Sequence, residues 1–571
     1  MKLLLNFKGK RGLCILLCLA MCLTVIGCRK KIKQPVSSDG SSSNEISSVE
    51  SEKTDSSDVS SDLSGLPVTS SGSRSDISGT YDNTLSEDNG KTAVEEKTPY
   101  VAPAPEKYRK PIVVTEVVKK NEKNYIEYLG KPYLNYGVQV TFDRIHGMTA
   151  AQREQFFQKA TEIGFKTVIV AARWNELEPS EGKYNLYKVS ELLKFADKYD
   201  VNLEILWFGD NVCGSVGTAP SYVINDNKRF PRTGKLLDYS NIELLKVEKA
   251  AISQMMNYIY DNDRNHRVTA IQILNEPNYS DVYTAQRDAY LNALDELGMA
   301  VKESPYRVVT RVNFVISGEF LSEKYTHPEE VFNLKGIDMV GADLYTKSLE
   351  EFIAYSKRFS SGGLSENVTH FAEAPGNMYN YPKQVLTAFA FNSGYDVYEL
   401  KCYGATDADT GIFRVGADKW EIRDGEKRTQ YRWTRGEYVA ESVTSDIINL
   451  NKMINCIREQ IATCPRDQFA IIFRQQQNKI SDTKITFKTN EERMGNRVGA
   501  AFLANDGYYY FFTPAKEGTF IFDGKTVNAS ASVGSFVNGI WKEMSVVKVA
   551  GKNEIRVKTG NVYRIPADRV Q

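Results

Sequence analysis

From about residue 133 the chain alternates short apolar runs with longer stretches in which apolar residues return every three or four positions. PYLNYGVQVTF gives way to TAAQREQFFQKATEIGF, where Phe156, Phe157, Ala160 and Ile163 recur at helical spacing. KTVIVAARW, VNLEILWFG and VTAIQILNEP read as strands, separated by the helical patterns LYKVSELLKFADKYD and IELLKVEKAAISQMMNYIYD. AQRDAYLNALDELGMAVKES is helical again, and RVVTRVNFVIS, GIDMVGADLY, NVTHFAEAP and YDVYELKCYG look like strands. LEEFIAYSKRF and PKQVLTAFAFNS fill the later helical slots less cleanly. Strand starts near Asn135, Thr167, Asn202, Thr269, Val308, Ile337, Val368 and Asp396 make eight. This alternation implies right-handed β–α–β units and a parallel sheet. Eight units predict an α/β fold, the (β/α)8 TIM barrel, with its working residues at the C-terminal strand ends. A doubly wound open sheet is the competing arrangement. No G-x-G-x-x-G follows the first strand, which removes the usual nucleotide-binding form of that alternative.

The pattern changes past about residue 466. DQFAIIFR, KITFKT, RVGAAFLA, YYYFFTPA, GTFIFDG, SVVKVA and GNVYRIPA are short, β-rich and divided by Gly, Asn and Asp turns, which predicts an antiparallel β-sandwich over 466–571. The barrel is expected over 106–410, with 411–465 as a linking segment. Residues 29–105 are rich in Ser, Asp, Glu and Gly and too poor in apolar residues to offset their ordering entropy, so they read as a disordered stalk.

Residues 1–28 carry a basic start (Lys2, Lys8, Lys10, Arg11) and the apolar run LCILLCLAMCLTVIG, too short for a membrane span. The run ends in Val25-Ile26-Gly27-Cys28, which resembles the lipobox of bacterial lipoproteins. That resemblance implies cleavage before Cys28, a diacylglycerol anchor on its thiol, and a lipoprotein held extracytoplasmically on a bacterial membrane at the cell surface. An ordinary signal peptide with an incidental Cys is the other reading.

Composition narrows the partners. The 571 residues carry a formal net charge of zero and no long basic block after the first segment, which argues against nucleic acid. The body's cysteines, Cys213, Cys402, Cys456 and Cys464, match no zinc spacing, and four His serve the whole chain, so neither a metal nor another cofactor is expected. Cys456 and Cys464 could pair in an oxidising compartment or stay as free buried thiols.

Read as a barrel, the strand ends offer polar groups to one mouth: Asp143 and Arg144, Arg173 to Glu176, Trp207 to Asp210, Asn275-Glu276-Pro277, Asp343 and Tyr345, Glu373, and Tyr403. Glu276 and Glu373 end strands four and seven, which face each other across an eight-stranded mouth. Paired carboxylates suit glycosidic cleavage, in which one protonates the leaving oxygen and the other stabilises or attacks the oxocarbenium-like centre. The abundant aromatics, 32 Tyr and 26 Phe, suit the C–H faces of sugars. Trp207 is a candidate sugar platform or a core residue, and Arg173 shapes the pocket or pairs with a nearby acid. Glu176 and Glu181 read as loop-stabilising, His146 as a loop residue, and Glu319 as a rival strand-end acid.

This set resembles glycoside hydrolase clan A, whose barrels carry Asn-Glu after strand four and Glu after strand seven. ARWNELEPSEGKYN followed by LEILWFG is similar to the families 35 and 42 β-galactosidases in particular. The resemblance implies Glu276 as acid/base, Glu373 as nucleophile, Asn275 on the sugar 2-hydroxyl, Tyr345 orienting the nucleophile, and a retaining reaction. Arg173, Trp207 and Asp210 complete the expected carbohydrate-binding set. The last strand departs from the family, offering Tyr403 where many members have a tryptophan. A non-catalytic carbohydrate-binding surface lipoprotein is the alternative function.

Overall fold

A computed structural model describes residues 109–120, 123–139, 148–210, 218–278, 285–316, 328–344, 349–360, 369–372, 381–397, 405–406, 413–414, 420–423, 426–429, 441–473, 477–489 and 498–571. Cys28, the expected stalk, Asp143, Arg144, His146, Cys213, Glu319, Tyr345, Glu373, Cys402 and Tyr403 lie outside them.

An antiparallel sheet comes first: β1 (Thr115–Lys120), β2 (Lys123–Tyr128) and β3 (Lys131–Tyr133). Its Ile126 packs on Ala270, Val309 and Met339, residues at the starts of later strands, so the sheet plugs one end of the fold. The Thr115 hydroxyl secures the plug by donating to the Thr269 carbonyl at 2.6 Å and accepting from the Val309 N–H at 2.9 Å.

Eight parallel strands follow: β4 (Tyr136–Gln139), β5 (Thr167–Arg173), β6 (Asn202–Phe208), β7 (Val268–Asn275), β8 (Val309–Ile316), β9 (Met339–Leu344), β10 (Thr369–Ala372) and β11 (Ser393–Val397). Each pairs with the next, and β11 pairs back onto β4 through Tyr395↔Tyr136, Asp396↔Gly137 and Val397↔Val138. The ring is TIM-barrel-like, and each strand begins within three residues of the start read from the sequence. Helices α1 (Ala150–Glu162), α2 (Tyr187–Tyr199), α3 (Ile242–Asn262), α4 (Arg287–Lys302), α5 (Leu349–Ser360) and α6 (Tyr381–Ala390) alternate with the strands. Thr149 and Gln152 form a capping box at the start of α1, and the Asn241 side chain accepts the Leu244 N–H at 2.7 Å at the start of α3.

Strand alternation sorts the side chains. Val168, Val170, Leu203, Ile205 and Trp207 join the large core between strands and helices, while Ile169, Ala171, Leu206 and Phe208 cluster separately inside the ring.

Two further helices, α7 (Glu441–Cys456) and α8 (Arg458–Thr463), lead into antiparallel sheets that resemble a sandwich. The strands are β12 (Phe469–Phe473), β13 (Gln477–Ile480), β14 (Thr483–Lys488), β15 (Val498–Leu503), β16 (Tyr508–Phe512), β17 (Gly518–Asp523), β18 (Ser530–Val537), β19 (Ile540–Lys548), β20 (Glu554–Val557) and β21 (Tyr563–Pro566). The six-stranded sheet runs β12-β15-β16-β21-β18-β19 and the four-stranded sheet β13-β14-β17-β20. Ile472, Phe487, Phe511, Phe520 and Phe522 fill the space between them. On the opposite face of the larger sheet, Phe469, Phe502, Tyr510 and Phe512 belong to the same core as the barrel helices. Cys456 and Cys464 are free thiols, which settles the open pairing.

Lys123 ties the plug to the region after α8 by donating to the Cys464 carbonyl. Burial lowers its ammonium from 10.5 to about 8. Between those values the folded protein binds fewer protons than the unfolded chain. The penalty is therefore fully present below about 8, and stability rises as pH climbs from about 8 towards 10.5. Chemical denaturation of wild type and Lys123→Met across that window should show the wild type gaining on the variant; a constant difference would contradict a buried ammonium.

Candidate active site at the strand exits

The polar exit of β7 is made by a local irregularity. Every residue of VTAIQILN is buried, and the register with β8 shifts between Gln272 and Asn275, bringing Asn275 opposite Asn313. Gln272 Nε2 and Asn313 Nδ2 both donate to Asn275 Oδ1, at 3.0 and 3.4 Å. Two donors on one oxygen fix which end of the Asn275 amide is which. Glu276 follows in the left-handed region at φ 46, its N–H donating to the Asn313 carbonyl at 2.7 Å. A side-chain-bearing residue in that conformation costs on the order of 1–2 kcal/mol. Only 8% of Glu276 is exposed.

Beneath this exit lies a charged floor. Arg311 of β8 is fully buried, its Nε donating to Glu204 of β6 and its Nη2 lying 3.6 Å from Asp396 of β11. Asn135 Nδ2 donates to the second Glu204 oxygen at 3.1 Å. Arg311 Nη1 donates to Asn313 Oδ1 at 3.1 Å, so the Asn313 amide nitrogen turns the other way and donates to Asp343 and Asn275. Polarity thus runs in one direction, from guanidinium through Asn313 to Asn275.

The remaining expected site residues divide. Arg173 ends β5 in register with Phe208, on the same strand face as Ile169 and Ala171, so it stands at the exit. Asp210 follows β6 and is fully buried. Trp207 corrects the platform reading. It is fully buried between ring and helices, 6.5 Å from Trp174 between ring centroids, with its indole N–H donating to Glu248 of α3 at 2.8 Å. Its parity is opposite to that of Leu206 and Phe208, so it faces away from the ring interior. Glu176 pairs with Lys188 at 2.7 Å and Glu181 with Arg229 at 2.9 Å, in keeping with their loop-stabilising reading. Glu178, which the sequence did not single out, accepts from the Trp174 indole at 2.8 Å and the Gly182 N–H at 2.7 Å and holds the same loop.

Several residues of this arrangement escaped the sequence reading: Arg311, Glu204, Asn313 and Glu248. Arg311 and Asn313 did leave a signal, polar residues two apart in RVVTRVNFVIS, on the face shared with Val309 and Val315. Among the described residues no group of three or more His, Cys, Asp or Glu is placed to hold a metal ion.

A family described as "Domain of unknown function (DUF4978)" matches residues 289–418, from within α4 to beyond β11. No curated protein matches the chain. Among solved structures, an exo-β-1,4-mannosidase from Opitutaceae bacterium strain TAV5 is similar at 12% identity and TM-score 0.38, over 47% of this chain and 52% of that one. The chain thus spans about half the length of that mannosidase. An endo-1,4-β-mannanase from Rhizomucor miehei is similar at 13% identity and TM-score 0.38, over 49% and 89% of the respective chains. A family 39 glycoside hydrolase from the gut symbiont Bacteroides cellulosilyticus WH2 is similar at 12% identity and TM-score 0.43, over 78% and 84%. None of these three is named a β-galactosidase. Likenesses this distant leave the chemistry to the residues of the mouth.

The charged floor makes a stability prediction. Arg311→Met leaves Glu204 and Asp396 buried without their cation, and should cost about 3–5 kcal/mol in chemical denaturation. Adding Glu204→Gln and Asp396→Asn should recover much of the loss. A single-variant loss below about 1 kcal/mol would mean that water solvates these acids.

Proposed function

We propose that the chain is a surface-anchored, retaining glycoside hydrolase acting on β-linked oligo- or polysaccharide. The observation that carries this reading is the Asn275–Glu276 exit of strand four: an amide oriented by a buried hydrogen-bond chain, beside a nearly buried carboxyl on a left-handed turn. Supporting it, Glu373 immediately follows Ala372, the last residue of strand seven, β10. A non-reacting strand end needs neither an oriented amide nor the strain of that turn.

In this reading Glu276 protonates the glycosidic oxygen while Glu373 attacks the anomeric carbon, forming a glycosyl–enzyme ester. Glu276 then takes a proton from water as that water displaces Glu373, returning both acids to their starting states. Retention requires the two carboxyl groups about 5–5.5 Å apart. Asn275 donates to the 2-hydroxyl, a bond that strengthens as charge builds at the neighbouring carbon. Arg173 and Asp210 serve the sugar's other hydroxyls, and Tyr345 orients Glu373. A lipid on Cys28 would hold the enzyme at the cell surface, where polymeric substrates are met.

Aryl β-glycosides of graded leaving-group ability test the roles. Glu276→Gln should lose about 10²–10⁴-fold in kcat/KM on poor leaving groups and far less on activated ones, with azide restoring turnover as a β-glycosyl azide. Glu373→Ala should be inactive on all of them. Equal losses for Glu276→Gln across the series would refute its role as acid, and a wild type that binds glycans but cleaves none would establish the binding-protein alternative. Labelled palmitate should enter the wild-type protein in a bacterial host and not the Cys28→Ser variant; label in both would refute the anchor.

A further inference from the structure

Glu248 is a fully buried carboxyl that the proposed chemistry does not use. It projects from α3 against the end of β6, behind the strand-three exit. One oxygen, Oε1, accepts the Trp207 indole N–H at 2.8 Å and the Asp210 backbone N–H at 3.3 Å. The other, Oε2, is buried with no hydrogen-bond partner among the described residues. Between Trp207 and Asp210 the chain carries glycine for a steric reason: a Cβ on Gly209 would lie 1.7 Å from Glu248 Oε1. From the opposite side, the Thr218 hydroxyl reaches the Phe208 and Gly209 carbonyls at 2.8 and 2.6 Å, and the Thr218 carbonyl accepts the Asn175 N–H at 2.9 Å. The turn bearing Asp210 is therefore gripped from both sides and linked to the exit of β5.

We infer that Glu248 is a positioning residue for the sugar site, its carboxyl fixing through Trp207 and the Asp210 amide the turn that carries Asp210 at the exit of β6. The inference rests on the glycosidase reading for the ligand class, a sugar hydroxyl, and on this geometry for the grip. A carboxyl in such a place is biased towards the neutral acid. Burial first, and the Asp210 carboxylate second, push its titration well above the usual carboxylate range. Trp207 and Trp174, the side chains nearest the grip on the strand side, are neutral, and Asp210 is the charged group that bears on it. Ionisation of Glu248 would set a second negative charge behind Asp210 and push the turn outward. The folded protein binds more protons here than the unfolded chain does. This contribution to stability is whole below the ordinary carboxylate range and is lost as pH rises through the raised folded value.

Three substitutions test the grip. Glu248→Gln keeps an acceptor at Oε1 and cannot ionise. Glu248→Leu removes the acceptor, and Trp207→Phe removes one donor while keeping an aromatic ring in the core. On aryl β-glycosides, Glu248→Leu and Trp207→Phe should raise KM about tenfold or more with a smaller change in kcat. Glu248→Gln, which keeps the acceptor, should hold KM near the wild-type value. Should Glu248→Leu not fold, Trp207→Phe and Glu248→Gln carry the test. Equal kcat losses with unchanged KM, or a Glu248→Gln variant as impaired as Glu248→Leu, would overturn the inference. Hydrogen exchange at the Asp210 amide separates the two failures. If wild type cleaves nothing, the glycosidase reading fails, yet the grip stands if exchange quickens in Trp207→Phe and keeps the wild-type rate in Glu248→Gln. Unchanged exchange in Trp207→Phe would refute the grip itself.

Discussion

One buried guanidinium organises the middle of the barrel. Arg311 reaches into the ring interior from β8, where Glu204, Asp396 and the Asn313 amide meet it, and glycine at 341 makes the room. A Cβ on Gly341 would lie 2.6 Å from both Arg311 Nη1 and Asn313 Oδ1. Desolvating three charges is expensive, so this cluster is poor evidence of stability for its own sake. What it supplies is register. A one-residue slip of β6, β8 or β11 would turn Glu204, Arg311 or Asp396 to the opposite face and leave its partners unpaired in the core. The same guanidinium dictates which way Asn313 points, and through Asn313 which way Asn275 points. Fold specificity and site geometry draw on the same hydrogen bonds.

The sequence made the fold legible because both of its periods were clean through the first half of the ring. Phe156, Phe157, Ala160 and Ile163 mark one helical face, and all four are buried in the structure. The eight strand runs are short, apolar and spaced by helices, a pattern with few parallel solutions. Asn275 and Glu276 were legible at the exit of strand four because polar residues end an apolar run abruptly there. Trp207 was left open between platform and core because an aromatic beside a strand end can face either way. Parity with Leu206 and Phe208 decides it, and parity becomes firm only once the inward set is known. Glu248 was missed although a signal existed. It sits four residues after Leu244, three before Ala251 and seven before Met255, on the buried face of α3, where a carboxylate needs a partner. The Glu204–Arg311–Asp396 cluster could not be read at all. Its members come from three distant strands, and only the ring brings them together.

The C-terminal sheets do more than follow the barrel. Phe469 and Phe502 stack at 5.2 Å, and Phe502 and Tyr510 at 5.1 Å, on the sheet face that joins the barrel's helical core. The Tyr136 hydroxyl donates to Asn451 of α7 at 2.6 Å, and the Asn451 amide donates to the Ile163 carbonyl after α1 at 2.8 Å. The linking helix is therefore hydrogen-bonded to the seam where the last and first strands of the ring pair. A helix pinned across that seam by buried amides braces the closure of the ring.

The turn at Glu276 shows the same kind of bracing at the exit of strand four. A left-handed backbone at a residue bearing a side chain persists only where its surroundings over-determine it. Here three constraints converge. The shifted register seats Asn275 opposite Asn313, the Asn313 carbonyl captures the Glu276 N–H, and the Asn313 side chain is itself held by Arg311. Relaxing Glu276 to an ordinary extended conformation would break the first two and leave a buried carbonyl unsatisfied, at a cost of about 1–3 kcal/mol, comparable to the strain that would be relieved. The backbone carrying Glu276 is thus fixed by the barrel itself. Moving it would require disturbing the middle of the barrel.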